Sequence, residues 1–240
     1  MKNICEKHGE YDFESIVIFG KEFKTNCPIC NKEQEEALAE EQKEKQQLYK
    51  MKSLMARGIE PEYFGAIVQN YKVENETEQQ AKNSSLEILN GNLKKMLLLG
   101  SNGVGKTYLA CALAQQLNGV RITMFELSAK IRAGYNNGQS EIEILDNLLN
   151  FGFIAIDEVG RTKGSDAERN WLSYLIDKAH TRKIPLMLIS NRHTARNLPA
   201  ERRGEAIEYF FDNDVISRLR QNSRIVEING RDRRATLSSV

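Results

Sequence analysis

Net charge is almost absent from this sequence: 34 lysines and arginines face 33 aspartates and glutamates, a formal balance of +1 over 240 residues. Such a balance creates no strong global field, so composition announces neither a nucleic acid nor an acidic membrane as partner, and any such site must be a local patch. Long apolar runs are missing too. Segments such as Met96 to Leu99 and Pro185 to Ile189 fall far short of the roughly 20 residues that a membrane-spanning helix needs. Cys5, His8 and charged residues stand where a secretory leader would be apolar, so the expectation is a cytoplasmic protein without a membrane partner. Cysteine is scarce, and three of the four (Cys5, Cys27 and Cys30) lie in the first 30 residues. That clustering argues against a disulfide framework and for a metal site, whereas Cys111 falls in an apolar helix and reads as a core thiol.

An apolar content of 40% is enough for one ordinary globular domain with a smaller appendage. Residues 1–31, with Tyr11, Phe13 and alternating apolar positions at Ile16, Ile18 and Phe19, read as a hairpin-bearing module. Residues 32–57 are rich in Glu, Gln and Lys with few apolar anchors, and Glu41 and Lys45 have the spacing of a helical ion pair, so a solvated helix or linker is expected. No heptad runs through it. From 58 to 240 helical patterns alternate with short apolar strands, the signature of a parallel sheet covered on both faces. Five strands are predicted, at Lys95 to Leu99, Arg121 to Phe125, Phe153 to Asp157, Pro185 to Ser190 and Arg224 to Asn229. Ser140 with Glu143 and Ser165 with Glu168 fit capping boxes, and Gly119 and Gly152 stand where helices should end in a left-handed residue.

The first of these strands runs into Gly100, Ser101, Asn102, Gly103, Val104, Gly105, Lys106 and Thr107, a complete GxxxxGKT opening a helix at Tyr108. Glycines let the backbone curl so that amide groups face a phosphate, and the helix amino terminus adds partial positive charge. Lys106 supplies an ammonium for the outer phosphates of ATP, and Thr107 a hydroxyl for magnesium. The strand from Phe153 ends in Asp157 and Glu158. Strand ends at this edge of a parallel sheet line the ligand crevice, which assigns Asp157 to magnesium and Glu158 to accepting a proton from attacking water. Asn191, at the end of a third strand after Ser190, offers an amide that can position that water without competing for its proton.

In the amino-terminal module, Cys5 with His8, then Cys27 with Cys30, spell CxxH followed by CPxC. Each pair fits one tight turn, and two such turns brought together make a tetrahedral zinc site. Thiolates and imidazole select zinc over magnesium or calcium, and four protein ligands make the site structural.

Taken together, Leu97 to Leu109, the Asp-Glu-Val-Gly at Asp157 to Gly160, Ser190 with Asn191, and Ser217-Arg218-Leu219 resemble the ATPase domain of bacterial DnaC-type replicative helicase loaders. Asn70 to Asn75, with Gln79, Gln80 and Ala81, is similar to the entry helix of those proteins, and the resemblance covers roughly residues 54 to 234. Transposition helper ATPases of the IstB type share the same domain. The resemblance implies an AAA+ P-loop ATPase that self-associates side by side, so that Arg218 reaches the ATP of a neighbour as an arginine finger. It places Arg234 at the second-sensor position, contacting nucleotide together with the loop and Tyr108. The family pattern has an aromatic where Arg233 stands, and Asp where Ser217 precedes the finger. A hexameric DnaB-type helicase and single-stranded DNA are the partners implied, with Lys130 and Arg132 as candidate DNA contacts and the zinc module as a candidate grip on protein or DNA. The alternatives are a duplex-binding transposition helper and a nucleotide-switched adaptor with little turnover.

Overall fold

The computed structural model describes residues 2–12, 14–19, 21–24, 26–161, 165–211 and 213–234, so Phe13 lies outside the described residues. The chain divides into two compact units, Met1–Ser53 and Leu54–Val240. In the first, β1 (Lys2–Cys5) and β2 (Gly9–Asp12) pair antiparallel, with Cys5 opposite Gly9, and β3 (Ser15–Ile18) pairs with β4 (Lys21–Lys24). Helix α1 (Pro28–Ala56) begins inside the CPxC sequence. Proline suits that first position, because its missing N–H would have had no helical acceptor. Lys45 and Glu41 pair at 2.6 Å on its exposed surface.

The second unit runs through α2 (Glu76–Leu89), β5 (Lys95–Gly100), α3 (Lys106–Gln116), β6 (Val120–Thr123), α4 (Met124–Asn136), α5 (Glu141–Leu148), β7 (Ile154–Asp157), α6 (Asp166–Thr181), β8 (Leu186–Ser190), α7 (Asn213–Arg220) and β9 (Ser223–Ile228). Five strands form one parallel sheet in the order β6-β7-β8-β5-β9. Strands β5, β7 and β8 are buried along their whole lengths, which is why they read as unbroken apolar runs instead of alternating ones. Two apolar clusters cover the two faces, one built on Leu97, Ile122, Ile156 and Leu188, the other on Met96, Leu98, Ala155 and Ile189.

The second strand is shorter than expected. Thr123 turns the chain into α4, its hydroxyl accepting from the Glu126 amide at 3.1 Å while Glu126 accepts from the Thr123 amide at 2.8 Å, so Met124 and Phe125 are helical. The boxes at Ser140–Glu143 and Ser165–Glu168 are formed. Gly119 and Gly152 are glycines for a different reason from the one expected. The left-handed residue at the end of α3 is Asn118, φ 49°. A Cβ on Gly119 would instead stand 2.5 Å from the Phe153 carbonyl oxygen, and one on Gly152 2.2 Å from that of Leu117.

Candidate nucleotide and metal sites

Three glycines of the phosphate loop have positive φ: Gly100 (136°), Gly103 (77°) and Gly105 (96°). All three also permit close packing, for a Cβ on Gly100 would fall 2.5 Å from the Ile228 carbonyl oxygen, one on Gly103 1.7 Å from Asp232 Oδ1 and one on Gly105 2.8 Å from the Tyr71 ring. The carboxy-terminal segment therefore lies against the loop, and the Arg233 amide donates to the Gly103 carbonyl at 3.1 Å. Beneath the loop, the Tyr71 hydroxyl donates to the Val104 carbonyl at 2.9 Å. Tyr108 donates to the Ile67 carbonyl at 3.2 Å, its ring centroid 5.9 Å from that of Tyr71.

A cleft of about 630 Å³ opens at the carboxyl ends of the strands. Asn102, Gly103, Gly105, Lys106, Thr107 and Tyr108 line it from the loop; Asp157, Glu158, Asn191 and Arg234 line it from three other segments. Lys106 is 6% exposed, and its ammonium donates to the carbonyls of Gly100 (2.8 Å) and Ser101 (2.7 Å). Burial lowers its pKa to about 8, with Asp157 opposing the shift and Arg234 adding to it. Thr107 Oγ1 donates to Asp157 Oδ2 at 3.1 Å. A hydroxyl and a carboxylate, both hard oxygen donors, thus converge beside the phosphate loop, a donor set that suits magnesium.

Glu158 sits at φ 59°, an uncommon conformation for a residue with a side chain. Neighbouring strands hold it there. Its amide donates to Asp157 Oδ1 at 2.8 Å, the Val159 amide donates to the Ile189 carbonyl at 2.8 Å, and the Ser190 hydroxyl donates to the Val159 carbonyl at 2.6 Å. The Glu158 carboxylate meets Arg161 at 2.8 Å. Among the paired residues Arg233 and Arg234, Arg233 ion-pairs with the buried Glu78 at 3.0 Å and stacks over Tyr71 at 4.7 Å, whereas Arg234 is the one whose charge acts on Lys106. Arg218 is not brought to this cleft. It is exposed on α7 and ion-paired with Asp177 of α6.

Arg121 belongs to the same site although no motif marks it in the sequence. This residue is 8% exposed, and its guanidinium donates twice to Asp157 Oδ2, from Nε at 3.1 Å and from Nη2 at 2.9 Å, and to Glu60 Oε1 at 3.2 Å. Burial is the largest single influence and works against its charge, yet Asp157, with Cys111 and Glu60 adding to it, raises its pKa. The signal available in the sequence was an arginine inside an otherwise apolar strand.

In the first unit, Cys5, His8, Cys27 and Cys30 place one ligand atom each within 4.8 Å of one another. Four of the six separations are 3.5 Å for Cys5 Sγ to Cys30 Sγ, and 3.7, 3.7 and 3.3 Å from His8 Nδ1 to Cys5, Cys27 and Cys30. Zinc–sulfur and zinc–nitrogen bonds of tetrahedral sites imply ligand-to-ligand edges of about 3.5–3.8 Å, so this set fits the ion. His8 Nε2 faces Glu33 at 3.2 Å, and Glu33 meets Lys7 at 2.7 Å, the kind of outer partner that fixes a ligand imidazole. The Lys7 amide, foremost among its neighbours, brings the Cys5 thiol down to about 6, and the bond to Cys5 pushes Cys30 up to about 11.

Residues 33–239 match the family described as IstB-like ATP binding protein. The chain belongs to this family. Among the relatives of this IstB-like chain, the replicative helicase loader DnaC of Escherichia coli (strain K12) is 27% identical over 143 residues, covering 56% of this chain and 58% of that protein. The protein of the same name from Buchnera aphidicola subsp. Baizongia pistaciae is 28% identical over 172 residues, 67% and 70% of the two chains. The match thus spans under two thirds of the E. coli relative. A crystal structure of the DnaC helicase loader superposes with a TM-score of 0.58 at 20% identity, over 71% of this chain and 100% of that one. Replication initiator DnaA bound to AMPPCP and single-stranded DNA gives 0.57 at 18%, over 72% and 51%. These likenesses establish an AAA+ fold of the IstB/DnaC type. Among the described residues, no helix is long and apolar enough to cross a membrane.

Proposed function

We propose that this chain is an ATP-dependent loader that delivers a hexameric DnaB-type helicase onto single-stranded DNA. The observation that carries the reading is the kinship of its ATPase unit to proteins named as DnaC loaders, supported by one cleft that gathers Lys106, Thr107, Asp157, Glu158, Asn191 and Arg234.

In this reading Lys106 leaves the Gly100 and Ser101 carbonyls for the outer phosphates of ATP, and Thr107 and Asp157 hold magnesium. Magnesium, when bound, neutralises charge that gathers on the phosphoryl oxygens. Glu158 takes the proton of the attacking water and Asn191 orients that water. Arg234 senses the nucleotide from the carboxy-terminal side, and Arg218 of one subunit reaches the ATP of the next. The zinc module with α1 grips the helicase.

The test is complex formation between the purified protein and a replicative helicase in the presence of ATP, followed by mass, for wild type, Lys106→Ala and Cys27→Ser. A stoichiometric complex that Cys27→Ser abolishes is expected. Survival of the complex in Cys27→Ser would move the grip away from the knuckle. Intact ATPase activity without any complex would favour the transposition helper, a reading to which the IstB family match also lends itself, and duplex binding would then be measured.

A further inference from the structure

Asp157 is the acid on which a magnesium ion depends in the reading above, and this inference rests on that reading. Its Oδ2 already accepts three hydrogen bonds, one from the Thr107 hydroxyl and two from the Arg121 guanidinium. A buried positive charge is therefore seated on the carboxylate that would offset a divalent cation, and two cations drawn to one carboxylate in a poorly solvated place compete. Arg121 also has a second partner of the same kind. Its Nη1 lies 3.2 Å from the Glu60 carboxylate, which is more than half exposed, and 3.5 Å from the Gly58 carbonyl. The segment that bears this second partner is closely fixed to the same residue. The Arg121 amide donates to the Arg57 carbonyl at 2.9 Å, and a Cβ on Gly58 would fall 1.8 Å from the Arg121 carbonyl oxygen.

We infer that Arg121 competes with magnesium for Asp157, and that the sharing of its charge between Asp157 and Glu60, both of which it holds at once, sets how much magnesium the nucleotide site requires. Arg121 is a positioning residue here, since it acts through Asp157. Removing its charge frees the carboxylate for the metal. Removing the charge of Glu60 takes away the second counter-charge and leaves Arg121 to Asp157 alone. The two changes therefore act in opposite directions, a pattern that loss of packing alone does not produce.

The experiment is equilibrium binding of a fluorescent ATP analogue to the full chain across a magnesium titration, with an EDTA reference. Arg121→Gln is expected to lower the magnesium concentration for half-maximal binding by roughly tenfold, and Glu60→Gln to raise it several-fold, with Arg121→Lys closer to wild type. Binding in EDTA should change far less than the magnesium requirement. Shifts in the same direction, or none, would overturn the inference while leaving ATP binding intact. Failure of the wild type to bind the analogue, or binding that Lys106→Ala leaves unaltered, would instead overturn the ATP reading itself. Should Arg121→Gln fail to fold, Glu60→Gln still decides the matter, because the Glu60 side chain is 56% exposed: a raised requirement supports the competition, and an unchanged or lowered one rejects it.

Discussion

Lys106 shows how placement alters a single residue. Its ordinary pKa of 10.5 falls to about 8 because burial penalises the charged form more than Asp157 favours it. Between those two values the unfolded chain carries a proton that the folded chain has released, so folding stability rises with pH across that window, and the cost of the buried charge is fully present below about 8. Phosphates reverse this preference by favouring the ammonium. Nucleotide affinity is accordingly expected to be level below pH about 8 and to weaken above it, with proton uptake on binding that calorimetry in buffers of different ionisation enthalpy would read. Affinity that stays level well above that pH would place Lys106 outside the phosphate contacts. At this same scale the GKT sequence and the Asp-Glu pair were legible without coordinates, because each depends on residues adjacent along the chain. The contact of Arg121 with Asp157 was not, since it joins positions 36 residues apart on different strands.

At the scale of elements, the knuckle and the sheet differ in what holds them. Strands β1 and β2 are four residues each, with burial that is at most partial, and a lone pair of such strands is marginal in water. Metal bound by Cys5, His8, Cys27 and Cys30 would supply on the order of 10 kcal/mol toward ordering them. Chelation, or Cys27→Ser, should therefore release about one zinc per chain and open residues 2–30 to protease while the 54–234 unit stays resistant. Retained protection after complete metal loss would show that the hairpins stand without it. The ligand spacing was readable because each pair is local. The second strand ends earlier than its apolar run suggests, because Met124 is a good helix former and the capping box at Thr123 and Glu126 overrides the strand preference of Phe125 by satisfying orphan amides.

For the whole molecule, the position of Arg218 is informative. Within one subunit it makes an exposed ion pair with Asp177, an interaction worth about 0–1 kcal/mol, and it does not line its own cleft. An arginine so weakly held is available to a neighbour. Arg218→Ala and Glu158→Gln are each expected to lose turnover by about 10²-fold or more while still binding nucleotide. An equimolar mixture should regain activity, because a Glu158→Gln subunit lends its Arg218 to a subunit with intact Glu158. Mixtures that assemble but remain inactive would assign Arg218 a role within its own chain.

The phosphate-loop motif, the Asp157–Glu158 pair, the Cys5, His8, Cys27 and Cys30 spacing and the alternation of helix and strand were all legible in the chain alone, because each is written in short spacings or in the period of apolar residues. Only tertiary packing set the strand order β6-β7-β8-β5-β9, the pairing of Arg233 with the buried Glu78, and the seating of Arg121 on Asp157. Those depend on which strands become neighbours and where a buried charge finds its counter-ion, and that is settled only when the two faces of the sheet are covered.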